Sequence, residues 1–135
     1  MMRGHRIGRL LIIALAVSLI SACSGPASLN AQDGTSFTVQ GHSYAEVWNA
    51  AVAAVTSQLK VLSQDPAAGE IRAEESVATA QYGELVGVFI SPTSATATTF
   101  TVSVDSHQRD PFQSSPQDWR QKIIADMKAQ LNINN

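Results

Sequence analysis

Between Ser36 and Leu131 the spacing of apolar residues switches from two to three-or-four, back to two, and again to three-or-four, and this alternation limits the architectures open to the chain. SFTVQ, residues 36–40, sets Phe37 and Val39 on one side and stops at Gly41, as a short strand does. Tyr44, Val47, Trp48, Ala51, Val52, Val55 and Leu59 then recur at helical spacing, with Glu46, Asn49, Ser57 and Lys60 opposite. Ser43 and Glu46 have the spacing of a capping box, in which each side chain satisfies the other residue's free amide. An aromatic pair at this spacing reads as core before it reads as a ligand box.

VLSQDPAAGEIRAEE, residues 61–75, reads as a hairpin, with Asp65-Pro66 opening its turn and Gly69 closing it. Residues 76–84 read as an irregular or edge stretch. LVGVFI, residues 85–90, is almost wholly apolar and predicts a central strand, where Gly87 marks a bulge or the close approach of a helix. In residues 98–106 Phe100, Val102 and Val104 alternate with Thr and Ser, and residues 107–115 read as a polar loop. Ser115-Pro116 has the form of a helix N-cap, with Asp118 in the first turn and Trp119, Ile123, Ile124, Met127 and Leu131 along one stripe. The order β-α-β-β-β-β-α predicts an α+β two-layer sandwich, an antiparallel sheet of four to five strands with two helices on one face. Trp48 and Trp119, one per helix, are expected against that same face. The domain is placed at 36–131, with 132–135 as a frayed tail.

The N-terminal segment has another character. MMRGHRIGR holds Arg3, Arg6 and Arg9 without an acidic residue, and the apolar run LLIIALAVSLI follows at 10–20. A basic segment and then a short apolar one is the layout of a secretory signal peptide, and the run falls short of the roughly 20 residues needed to span a bilayer. It ends in Ile20-Ser21-Ala22-Cys23, the chain's single cysteine. An exported protein has little use for a lone thiol, which cannot form an internal disulfide. The ISAC stretch resembles the lipobox of bacterial lipoproteins. That resemblance implies a diacylglyceryl group on Cys23, cleavage after Ala22, and acylation of the new amino group by a palmitate-class chain. Residues 1–22 are then signal peptide, and 23–35 are the lipidated cysteine and a flexible linker spanning up to about 40 Å. Ser24, where enterobacterial-type lipoproteins kept in the inner membrane carry Asp, implies the outer membrane facing the periplasm in a Gram-negative host.

Beyond Cys23 lie six basic and eleven acidic residues, a formal charge of −5, with no basic run. Nucleic acid is therefore not an expected partner, and adhesion to an anionic bilayer by charge alone is disfavoured. Cofactors are not expected either, since no glycine-rich phosphate loop follows a strand. Asp105, His107 and Asp110 have metal-ligand chemistry, but their spacing matches no dedicated motif and a solvated loop is the preferred reading. Glu70, Glu74 and Glu75 read as a charged hairpin edge that discourages strand addition. With no nucleophile elbow, metal site or catalytic set in the sequence, enzymatic activity is not expected. The candidate binding surface joins the loops at 76–84 and 107–115, carrying Tyr82, His107, Arg109, Asp110 and Phe112.

The helix starts Tyr44-x-x-Val47-Trp48 and Asp118-Trp119-x-x-x-Ile123, with the strand order, resemble small α+β modules of envelope lipoproteins. They also resemble the helix-grip domains of the lipoprotein subunit of the outer-membrane β-barrel assembly machine. The resemblance covers 36–131 and implies a non-enzymatic, lipid-anchored interaction or accessory module with an envelope protein as partner. The competing expectation is a small envelope enzyme or ligand binder using the 76–84 and 107–115 loops.

Overall fold

A computed structural model describes residues 28–76, 83–109, 112 and 117–134. The strands are β1 Thr35–Gln40, β2 Lys60–Asp65, β3 Glu70–Glu74, β4 Glu84–Ser91 and β5 Thr99–Gln108; the helices are α1 Tyr44–Thr56 and α2 Trp119–Gln130. The sheet order is β1-β5-β4-β3-β2 with every neighbouring pair antiparallel. β1 and β2 therefore run the same way on opposite edges, and α1 crosses the sheet between them. The meander β2 to β5 then returns to β1. This is the α+β sandwich anticipated from the alternating periods, with five strands.

Register decides which side chains meet. Val39 lies beside Phe100, Phe37 beside Val102, Val104 beside Val88, and Val88 beside Ile71. All of these face α1 and α2, which add Val47, Ala50, Ala51, Ala54 and Val55 from one helix and Trp119, Ile123, Ile124 and Met127 from the other. The alanines keep α1 slim where it meets α2, and Gln58 Nε2 donates to Asp126 Oδ2 at 2.7 Å across that contact. Trp119 is buried as expected, whereas Trp48 is half-buried and packs against the Tyr44 ring at 6.2 Å.

Local chemistry sets the ends of elements. Ser43 Oγ accepts from Glu46 N, and Glu46 Oε2 accepts from Ser43 N at 2.6 Å, the reciprocal capping box. Asp65 Oδ1 accepts from Ala67 N and Ala68 N, and Gly69 at φ +69° closes the β2–β3 turn. α2 departs from the expected start: Asp118 is its N-cap, accepting from Arg120 N at 3.0 Å, and Ser115-Pro116 lies outside the described residues. The tail also departs from expectation. Asn132 takes a left-handed conformation, φ 54°, while Asn132 N donates to Ala129 O and Ile133 N to Lys128 O. This is a Schellman ending, and it folds Ile133 back onto the core instead of letting it fray.

Three further corrections bear on function. β5 runs on to Gln108, so His107 is a strand residue and not a loop residue, and Asp105 is buried instead of solvated. β3 lies between β2 and β4, so Glu70 and Glu74 are not on a sheet edge. The segment read as a linker up to Thr35 is docked from Leu29 onward on the sheet face away from the helices. Leu29 is buried there beside Gly87, Asn30 N donates to Asp105 Oδ2 at 3.0 Å, and Ser103 Oγ donates to Ala31 O at 2.6 Å. Gly87 does mark a close approach, but of this strap and the Phe89 ring, where an added Cβ would sit 2.8 Å from the ring.

Candidate functional site

The chemistry of the described residues gathers at one end of the sheet, where β4 begins beside the end of β5 and α2 starts. The register pairs Glu84 with Gln108 and Leu85 with His107. Alternation sends the side chains there to both faces, producing two polar groups with different surroundings.

On the strap side, Asp105 is only 1 % exposed and its Oδ2 takes both Asn30 N–H and, at 2.9 Å, His107 Nε2. Arg109, just past β5, pairs with Glu74, which Lys60 also approaches at 3.2 Å. Lys60 foremost, with Arg109, holds the Glu74 carboxyl below its ordinary range despite some desolvation. Of the residues singled out in the sequence, His107 and Arg109 are thus brought to one face, and each already has a carboxylate partner within the fold. Phe112 is exposed. Tyr82, Asp110 and Cys23 lie outside the described residues. Among the described residues no group of three or more His, Cys, Asp or Glu is placed to hold a metal ion.

On the helix side, Glu84 is 2 % exposed. Ser106 Oγ donates to its Oε2 at 3.3 Å, and among the described residues its Oε1 has no hydrogen-bond partner. Burial pushes the Glu84 carboxyl above its ordinary value; Ser106 works against this, and the nearby charges of Glu75 and Asp118 add to it. A cleft of about 280 Å³ opens here, lined by Glu84, Ser106, His107 and Gln108 from the sheet and by Gln117, Asp118 and Arg120 from the entry to α2. Arg120 grips Asp118 at two points, Nε to Oδ1 and Nη2 to Oδ2, both 2.9 Å. That pairing holds Asp118 below its ordinary range and raises Arg120. The indole Nε1 of Trp119, the next residue, is buried without a hydrogen-bond partner among the described residues.

Sequence reasoning passed over Glu84, yet a signal for it exists. Glu84 is in phase with Val86, Val88 and Ile90, the apolar face of β4, so alternation alone directs a carboxyl toward the core. A buried polar residue is informative where an exposed one is ordinary. Ser106, Asp118 and Arg120 carry no such mark and meet only through the fold. No protein-family model matches this chain, and no curated protein matches it significantly.

Proposed function

We propose that this chain is a lipid-anchored protein of the bacterial cell envelope whose folded domain serves as a non-enzymatic interaction or accessory module. In a Gram-negative host it faces the periplasm from the outer membrane. The observation that carries the proposal is the succession at the N-terminus: Arg3, Arg6 and Arg9, the apolar run 10–20, and Ile20-Ser21-Ala22 ahead of the single cysteine. The β-α-β-β-β-β-α order, with both helices on one face, is the architecture that the resemblance to helix-grip envelope domains implies; it is a likeness of fold, and the accessory role rests on the anchor and not on the fold.

Docking of the strap bears on how the module is held. Leu29 already belongs to the folded domain, so the chain from Cys23 to Leu29 spans at most about 20 Å. An acylated Cys23 would hold the domain close to the lipid surface, with the strap-bearing face of the sheet nearest the tether. Two or three long acyl chains make that attachment durable, since each buried methylene contributes about 0.8 kcal/mol.

Intact mass of the membrane-extracted protein tests the reading. Diacylglyceryl and acyl additions on an N-terminal cysteine are expected, and they vanish in Cys23→Ala, which should also leave the membrane fraction. An unmodified thiol or retained residues 1–22 would falsify the anchor. For the module itself, native and Cys23→Ala proteins are compared by affinity capture from detergent-solubilised envelopes. Enrichment of one envelope protein with the native form is expected, and turnover of an envelope substrate by the purified protein would overturn the non-enzymatic role.

A further inference from the structure

The Glu84 carboxyl is carried by strand alternation to the helix-covered face and is almost wholly buried; among the described residues Oε1 has no partner and Oε2 holds a single long bond from Ser106. A buried acceptor without a donor is costly, and native folds leave few of them. Glu84 lines the cleft at the start of α2, whose volume of about 280 Å³ is near the lower bound of ligand sites. Such a space suits a small head group and not a whole cofactor.

The charges around the cleft decide what kind of head group. Glu75 follows β3, its amide bonded to the Glu84 carbonyl at 2.9 Å, and Asp118 precedes α2; both set negative charge near the Glu84 carboxyl. His107 on β5 acts in the opposite sense, but its Nε2 is engaged by Asp105. Arg120 and Asp118 pair at two points and largely cancel each other's charge, which leaves Glu75 as the net negative neighbour of the Glu84 carboxyl among the described residues. Ser106, Gln108 and Gln117 are neutral. The field at Oε1 thus favours a positive group, and the missing bond calls for a donor. A metal ion needs several convergent ligands, which the described residues do not assemble. An ammonium supplies charge and N–H donors together.

We propose that this cleft binds the primary ammonium group of a small amine, with Glu84 Oε1 as its buried acceptor. The site does not depend on the anchor and stands whether or not Cys23 is acylated.

The test uses the full chain purified in detergent. It is titrated with ethylammonium chloride while the indole N–H of Trp119 is followed by NMR. Parallel arms use tetramethylammonium, potassium and magnesium chlorides at equal ionic strength. A saturable shift with ethylammonium alone is expected. Glu84→Gln, which keeps the shape and removes the charge, should weaken binding about tenfold or more. Should that variant fold poorly, the native protein provides the second readout. Its affinity for ethylammonium should fall as pH is lowered through the Glu84 titration, because the neutral carboxyl no longer attracts a cation, with Glu75, Asp118, Arg120 and His107 as the neighbouring charges. An equal response to tetramethylammonium or potassium, an affinity unchanged in a folded Glu84→Gln protein, or an affinity flat with pH overturns the proposal. A saturable response to magnesium in place of ethylammonium overturns it in favour of a metal.

Discussion

Two helices cover one face of the sheet, and on the other lies the strap at 28–34. Under the helices Phe100, Val102, Val104 and Ile71 meet Val47, Val55, Ile123 and Met127, all essentially without exposure. The attraction there is non-directional and grows with the apolar area removed from water. The strap buries one large apolar side chain, Leu29, and otherwise relies on directed bonds to Asp105 and Ser103. Gly34 permits that closeness, since a Cβ there would lie 2.8 Å from the Val104 carbonyl oxygen. An apolar layer is lost only with the fold. A strap held by a few bonds can be released while the sheet stays folded.

The sharpest way to break this comparison is Phe100→Ala, which opens a cavity between β5 and the helices. It should cost about 3–5 kcal/mol, a large share of a small domain's stability, read as a lower urea midpoint by circular dichroism. A loss below about 1 kcal/mol would mean that the helix-covered face is not the stabilising core.

Asp105→Ala should cost less, about 1–3 kcal/mol, because Asn30 N–H and His107 lose their acceptor. The location of the effect matters more than its size. Amide exchange at Asn30 should rise steeply while Val102 on the same strand stays protected. Equal loss at both positions would show that the strap and the core unfold as one unit.

Ser43→Ala probes the helix side through α1 and should cost about 1 kcal/mol of stability in urea melts. The box is also pH-dependent. The Ser43 amide, the largest cause, with the Ser43 hydroxyl, holds the Glu46 carboxyl below its ordinary value. Its contribution is therefore present above the unfolded carboxyl range and is lost as pH falls through the lower folded value. Thermal melts across that window should show a falling midpoint in the native chain and a flatter one in Glu46→Gln, whereas Ser43→Ala keeps the backbone amide and with it the larger part of the pH dependence.

The smallest effect carries the opposite sign. Glu84 has its folded pKa raised from 4.5 by burial, so the folded state holds the proton more tightly than the unfolded chain. Stability then falls as pH rises from the ordinary carboxyl range through the raised folded value. Glu84→Gln should match the native chain in acid and melt slightly higher at neutral pH. A lower midpoint at neutral pH would mean that the ionised carboxyl contributes to the fold.

What the sequence determined by itself was local and periodic. The two helices, the β2–β3 turn and the apolar faces of β1, β4 and β5 follow from repeats of three-to-four or two and from Ser43, Asp65 and Gly69, all acting within a few residues. The same alternation put Glu84 on the core face, although a lone charge ahead of an apolar run was easily passed over. Asp105 shows where that reasoning ends. It is in phase with Thr99, Thr101 and Ser103, a face that reads as solvent, and it is buried because Asn30, 75 positions earlier, lies across it. Periodicity says which side of a strand a residue occupies and nothing about what covers that side. The strap, the interior position of β3 and the meeting of Glu84 with the entry to α2 were decided only by tertiary structure, because each depends on contacts between segments far apart in the chain.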